Sequence, residues 1–313
     1  MVSRGADYCR GVNEFMDVSD EVSQALSSGA PVVALESTII SHGLPHPENI
    51  RVAQQVHEAV RASGATPATI AIIDGRITVG LSDEQVEAVG TRSDVIKASV
   101  RDLLPVLARG GSGSTTVAST SVIAASCGID VFATGGLGGV HRQARDSWDE
   151  SADLTTLATT PITIVCSGVK SILDVPATLE RMETLSITVV GYRTSRFPGF
   201  YLADSGYDVP WQAHGPEEVA DLMRVRSSVG VASALVVANP VHVSSQLDPD
   251  VHDAVLAEGL AMATERGISG KDVTPFLLDH FHRATHGRSL AVNSELIVNN
   301  AELAARIAVA ARS

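Results

Sequence analysis

Short runs of β-branched and aliphatic residues recur along the chain at Val32–Leu35, Thr69–Asp74, Asp130–Thr134, Ile162–Cys166, Ile187–Tyr192 and Ala234–Ala238. Runs without polar alternation predict strands covered on both faces. Between them lie Glu48–Ser63, Ser82–Gly90, Thr116–Ser126, Ser171–Thr184 and Pro216–Ser228, whose apolar residues mostly recur at the steps of one helical face. This alternation predicts an α/β fold: a mostly parallel central sheet with helices on both faces. The stretch from Val251 to Ser313 has no convincing strand and predicts two or three helices, punctuated by Gly267 and Gly270, packed on the sheet or on a neighbouring subunit. No repeat or low-complexity linker interrupts the rest, so residues 21–313 are expected to form a single catalytic α/β domain and residues 1–20 a loosely ordered, flexible extension.

Composition narrows the partners. The chain has 313 residues, 44% of them hydrophobic, and a formal net charge of −13, enough apolar residues for a sizeable core and a charge that repels a phosphodiester backbone. A nucleic-acid polymer is therefore a poor partner, whereas a small anionic substrate held by a few cations is not. Cys9, Cys127 and Cys166 have neither metal-ligand nor disulfide spacing. Met1–Asp20 lacks the continuous apolar core of a signal peptide, and no run approaches a membrane span, so a cytoplasmic protein with no membrane partner is expected.

Several strands end in polar or glycine-rich clusters: Leu35 into Glu36-Ser37-Thr38, Thr134 into Gly135–Gly139, and Cys166 into Ser167-Gly168-Val169-Lys170. Ligands of open α/β sheets sit beyond the carboxyl ends of the strands, so these clusters are expected to converge on one crevice. Lys170 follows a strand and precedes a helical stretch, Ser171–Asp174; in partly desolvated space a neutral amine can attack a carbonyl-level carbon and form a Schiff base. A solvated surface lysine fits the same pattern. Glu36, directly after an apolar run, is a candidate general acid or base, or else caps a turn. Asp146–Asp153, beside His141 and Arg142, offers hard oxygen ligands for magnesium or manganese, or is a solvated loop in which Ser151 caps the helix that follows. Two glycine-rich segments, Arg109–Thr116 and Gly135–Gly139, could present backbone amides to an anion; the first leads into an apolar helix from Val117, with Lys97 as a nearby cation. Asn293 reads most simply as the N-cap of the last helix, and His42 and His46 flank a proline loop at the crevice mouth.

Val33–Gly43, Pro67–Ala71, Thr115–Thr120, Val131–Arg142, Ser151–Leu154 and Cys166–Asp174, in this order over nearly the whole chain, resemble the pseudouridine-5′-phosphate glycosidase family, also known from its indigoidine synthase A-like member. The resemblance implies a three-layer α/β/α core, a homotrimer, and reversible cleavage of pseudouridine 5′-phosphate into uracil and ribose 5-phosphate. It further implies Glu36 as proton donor, Lys170 as covalent nucleophile, Asp149 as ligand of Mn²⁺ or another divalent ion such as Mg²⁺, and Lys97, Val117 and Ser151, Ala152 and Asp153 as substrate contacts. Thr116, His141 and Asn293 are expected at the same site. Ser167, where relatives are expected to carry alanine, and Ser294-Glu295 depart from the pattern and point to altered contacts on the uracil side.

Pseudouridine joins ribose to a ring carbon, so its cleavage needs a group that protonates that carbon and an electron source on the sugar; an amine on the anomeric carbon supplies the electrons as it becomes an iminium. Asp153 or a metal-ordered water is expected to move the later protons. A Schiff-base lyase or aldolase acting on another sugar phosphate would use the same lysine and phosphate contacts, and is separated by its products. A non-catalytic nucleotide-binding relative would be expected to have lost Lys170 or Glu36, and both are present.

Overall fold

The computed structural model describes residues 14–268 and 273–312. The chain begins with β1 (Met16–Val18), α1 (Asp20–Ser28), β2 (Val32–Leu35), a single π-helical turn at Ile39–Gly43, and α2 (Glu48–Ala62). There follow β3 (Thr66–Ile73), β4 (Arg76–Val79), α3 (Asp83–Thr91), β5 (Ile96–Ala98), α4 (Val100–Ala108), β6 (Gly113–Thr115) and α5 (Val117–Ser126). The middle comprises β7 (Val131–Ala133), α6 (Ala144–Ser147), α7 (Ala152–Leu157), β8 (Thr163–Cys166), α8 (Val175–Thr184) and β9 (Thr188–Tyr192). The last part holds β10 (Trp211–Ala213), α9 (Pro216–Val229), β11 (Leu235–Ala238), α10 (Pro249–Glu265), α11 (Val273–Ala284) and α12 (Arg288–Ala310).

The strands form an 11-stranded sheet in the order β1-β4-β3-β2-β7-β8-β11-β9-β10, with β6 pairing to β3 and β5. Pairing is parallel except where β3 meets β4 and β6. Every residue of β2, β7, β8 and β11 is buried, as strands covered on both faces require, and the three-layer α/β/α expectation holds. α12 packs against α2 and α9 and crosses β2, β7 and β8, while α5 packs with α7 and lies against β2 and β3.

From β2 the chain moves to β3 on one side, and from β7 to β8 on the other, so the winding reverses between the neighbours β2 and β7. Their carboxyl ends, Glu36 and Thr134, flank the opening that such a reversal leaves in an open parallel sheet. One fully buried side chain pins this end of the sheet. Asn300 of α12 donates through Nδ2 to the Thr134 carbonyl at 2.9 Å and to Ser167 Oγ at 3.0 Å, while its Oδ1 accepts from Asn239 Nδ2 at 2.9 Å. The ends of β7, β8 and β11 are thereby tied to one helix.

The structure corrects several expectations. Met16–Val18 is no loose extension but an edge strand in register with Ile77–Val79, formed because Ile77 and Val79 are buried and offer a parallel ladder; residues 1–13 lie outside the described residues. The helix after Lys170 begins at Val175, with Asp174 as its N-cap accepting from the Ala177 amide at 3.0 Å, so Ser171–Asp174 is a turn. Asn293 is no N-cap: α12 starts at Arg288 behind Gly287, whose φ of 85° suits glycine, and Asn293 lies buried inside the helix. Gly267 does end α10's segment, whereas Gly270 lies outside the described residues. Among the described residues no helix is long and apolar enough to cross a membrane.

Candidate active site

At the β2/β7 reversal a small cavity is walled by Glu36, Lys97, Lys170 and Asn293, with Gly135, Gly136 and Phe200 beside them. Four residues proposed from the sequence thus meet in one hollow. Glu36 leaves β2 at full extension, and its turn is fixed beneath it. Ser37 Oγ donates to the Ile70 carbonyl at 2.6 Å and accepts from the Thr115 amide at 2.9 Å, and Thr38 Oγ1 donates to the Thr115 carbonyl at 2.7 Å. These buried bonds lock the residue after β2 onto β6 and leave the carboxyl facing the cavity, where Thr134 Oγ1 donates to Oε1. Burial pushes the Glu36 carboxyl above the usual carboxylate range, partly offset by the Lys170 charge, the Thr134 hydrogen bond and Lys97.

Lys170 is half-buried. Its amide donates to the Leu137 carbonyl at 3.1 Å and Val169 bridges Leu137, so the Ser-Gly-Val-Lys segment runs beside the Gly135–Gly139 loop. Gly168 makes this possible: its φ is 82°, and a Cβ there would lie 2.1 Å from the Pro198 carbonyl oxygen. Lys97 enters from β5, paired with Ser114 of β6, which sets it beside Thr116 and Val117 at the start of α5.

The other expected residues form a second group on the lysine side of the cavity rather than lining it. Asp153 is buried and bridges two elements: Oδ1 accepts from the Ala118 amide at 3.0 Å and Oδ2 from the Gly138 amide at 2.8 Å. It thereby clamps the α5 N-terminus to the glycine loop. A Cβ on Gly138 would meet Ser151 Oγ at 2.2 Å, so the close approach requires glycine. Ser151 caps α7, accepting from the Asp153 amide at 3.2 Å, and Ala152 is exposed. Val117 is only 1% exposed, so it has only backbone to offer a ligand. His141 Nδ1 lies 3.8 Å from Asp149 Oδ2. Burial lowers the His141 value, Asp149 counteracts, and the charges of Lys97 and Lys170 lower it further, which puts all four groups within one electrostatic neighbourhood.

Neither glycine-rich segment is a ready anion cradle. Gly110 and Gly111 pack against the turn at Gly75, Gly113 belongs to β6, and the Gly138 amide is already taken by Asp153. Ser167 and Ser294-Glu295 do not reach the uracil side either: Ser167 is bonded to Asn300, Ser294 Oγ donates back to the Leu290 carbonyl at 3.0 Å, and Glu295 is exposed. His42 lines the cavity, its Nδ1 lying 2.6 Å from Ser41 Oγ; His46 does not line it. Sequence reasoning missed Phe200, Thr274, Pro275 and Leu278 as walls, and gave Thr134 and Asn300 no role. The only sequence signal for Thr134 was its place at the end of an apolar run.

Fold and site together define a three-layer α/β/α protein with a lysine and a carboxyl lining one cavity at the switch point of a parallel sheet. The profile of the family described as indigoidine synthase A-like protein matches residues 21–310, and the chain belongs to that family. It is 59% identical over 291 residues to a pseudouridine-5′-phosphate glycosidase of Salinispora tropica, covering 93% of this chain and 90% of that one. It is 58% identical to one of Streptomyces griseus, covering 94% and 91%. Among solved structures, the prealnumycin C-glycosynthase AlnA in complex with ribulose 5-phosphate superposes with a TM-score of 0.89 at 35% identity, over 96% of this chain and 98% of that one. An indigoidine synthase A-like protein of Thermotoga maritima gives 0.87 at 37% identity, over 96% and 97%.

Proposed function

We propose that this chain is a pseudouridine-5′-phosphate glycosidase, reversibly converting pseudouridine 5′-phosphate and water into uracil and ribose 5-phosphate through an adduct on Lys170. One observation carries the reading: Glu36 and Lys170 face a single cavity, each within the other's field, in a chain with glycosidase relatives at 59% identity. Lys97, with the Val117 amide at the start of α5 beside it, makes the cationic end that takes the phosphate. Asn293, Phe200, Pro275 and Leu278 make a more apolar wall that takes the base.

The two central groups suffice for the proton traffic. Transfer of a proton from the Lys170 ammonium to the Glu36 carboxylate yields an amine and an acid together. Glu36 then protonates the ribose ring oxygen as the C1′–O bond breaks with its electrons on oxygen, and the lone pair of uracil N1 fills the gap at C1′. Lys170 Nζ adds at C1′, restoring the uracil ring, and gives a proton back to Glu36. Glu36 delivers that proton to uracil C5; the C1′–C5 pair returns to the ring as the Lys170 lone pair forms the iminium. Water hydrolyses the iminium to ribose 5-phosphate, leaving ammonium and carboxylate as at the start. Glu36 moves each proton, and Asp153, first expected to share in this, is assigned to hold the α5 N-terminus and the glycine loop, since both its oxygens accept backbone amides.

Asp149 suits a divalent ion. It is a half-buried carboxylate 3.8 Å from His141, a hard oxygen donor of the kind used by an ion that keeps most of its waters. Mn²⁺ or Mg²⁺ held by Asp149 would supply fixed positive charge that orders water and substrate oxygens. We assign the protein to the cytoplasm and to a homotrimer; the exposed Val225, Val229 and Val231 are apolar surface that a subunit contact would cover. The direct test is uracil release from pseudouridine 5′-phosphate with Mn²⁺, absent in Lys170→Ala. Fragments of the ribose chain in place of uracil would instead establish an aldolase.

A further inference from the structure

The reaction above leaves a charge unanswered. Among the described residues, the basic side chains lining the lysine cavity are His42, Lys97 and Lys170. Lys170 must shed its proton to attack C1′, so Lys97 is the lysine whose charge stays available to a phosphate monoester that carries nearly two negative charges. The chain as a whole, at −13, offers no general attraction to make up the difference. His42, which has no part in the bond changes, is the remaining base in that wall.

The fold puts His42 on the Lys97 side. It belongs to the π-helical turn Ile39–Gly43 that follows Glu36-Ser37-Thr38. Lys97 of β5 pairs in register with Ser114 of β6, and Ser114 Oγ lies 3.3 Å from His42 Nδ1, with Ser41 Oγ on the same nitrogen at 2.6 Å. Each hydroxyl also has a carbonyl to donate to, that of Ile96 for Ser114 at 3.4 Å and that of Ser37 for Ser41 at 3.5 Å, so both keep lone pairs that can accept from a protonated Nδ1. This anchor leaves Nε2, which makes no hydrogen bond among the described residues, as the nitrogen available to the cavity.

Few other charges bear on the ring. Partial desolvation, and after it the charge of Lys97, hold His42 below the usual histidine range. α2 and α3 meet the turn through Asn49 and the apolar cluster of Ile40, Ala53, Val86 and Val89, while α11 brings Asp279 and His282 to the adjoining hollow that His42 also lines. Glu36 and Lys170 line the same cavity. A phosphate dianion set beside Lys97 reverses the sign of the local field and favours the charged ring.

We propose that His42 is the second cation of the phosphate subsite: with Nδ1 seated on Ser41 and Ser114, Nε2–H donates to a phosphate oxygen, and the ring takes up a proton as the sugar phosphate binds. This rests on the glycosidase reading for the identity of the ligand; the bonds made and broken are unchanged. Because the complex holds the proton more tightly than the free ring does, binding weakens as pH rises through the His42 value in the complex.

The test uses Mn²⁺-loaded protein and ribitol 5-phosphate, which keeps the phosphate but has no carbonyl for Lys170 to attack. Calorimetric titrations in two buffers of different ionisation enthalpy, at slightly alkaline pH where the free phosphate is already the dianion, read the protons taken up. Wild type is expected to take up protons and to bind more weakly as pH rises. His42→Asn should abolish the uptake and weaken binding about tenfold or more, as the loss of a charge-assisted hydrogen bond does. With pseudouridine 5′-phosphate the same variant should raise KM about tenfold and leave kcat within about threefold, the mark of lost binding rather than lost chemistry. His42→Gln is expected to behave alike and stands in should the first variant fold poorly. No uptake by wild type, uptake that persists in both variants, or a fall in kcat at unchanged KM overturns the role of His42. Absence of uracil from pseudouridine 5′-phosphate overturns the glycosidase reading, while uptake on ribitol 5-phosphate that is lost in the variants still establishes His42 as a phosphate ligand.

Discussion

The two halves of the site are built differently. Glu36 and Lys170 stand on the ends of β2 and β8, over buried Ser37, Thr115 and Asn300, each bonded to a neighbouring strand end. Asp149 instead sits on a short surface loop, held by the amide of His141 donating to its carbonyl at 3.0 Å and by a Val140–Glu150 bridge, next to Trp148, which is 87% exposed. The groups proposed to make and break covalent bonds are fixed by the core, where a small displacement of reacting atoms is costly. The proposed metal ligand is held loosely, and an ion that keeps its waters tolerates this.

The contrast can be broken at either half. The largest effect is expected at Glu36: Glu36→Gln should lower kcat by roughly 10²–10⁴-fold, the usual contribution of a positioned general acid. Glu36 and Lys170 share one proton, and burial, by raising the Glu36 value, favours the acid-and-amine form; activity should fall as pH rises and that shared proton is lost. Thr134→Val removes a hydrogen bond that favours the carboxylate, so the alkaline limb of the pH–kcat/KM profile should move to higher pH; a move to lower pH would contradict the assignment. Asn300→Ala strands the Thr134 carbonyl and Asn239 amide in the core, and a loss of about 2–4 kcal/mol in denaturant unfolding is expected. Asp149→Ala should leave unfolding unchanged within about 0.5 kcal/mol, as for a surface substitution, while weakening Mn²⁺ binding by calorimetry at least about tenfold. Equal destabilisation by the two would erase the distinction.

The sheet was legible because its central strands are apolar without interruption, and the reversal put Glu36 and Lys170 where strand ends should carry chemistry. β1, β5, β6 and β10 were not legible: each has three residues, too few for a period, and exists because a neighbouring strand offers it a ladder. Asn300 and Thr134 escaped notice because their bond spans 166 residues of sequence, and Asn293 resembled a cap because the helix start at Arg288 has only a glycine before it. Ser167 was placed on the uracil side because it departs from the family pattern, while its hydroxyl turns to α12. The glycine segments looked like anion loops, but Gly113–Thr115 of the first is the buried strand β6 and the Gly138 amide of the second is committed to Asp153.

The central claim is covalent, and the chain carries only Lys97, Lys170 and Lys271 as lysines, so one measurement addresses it. Protein incubated with ribose 5-phosphate and borohydride, then digested and mapped by mass spectrometry, should carry a reduced sugar-phosphate adduct on the Lys170 peptide. An adduct on Lys97 or Lys271, or none at all from protein that releases uracil, would contradict it.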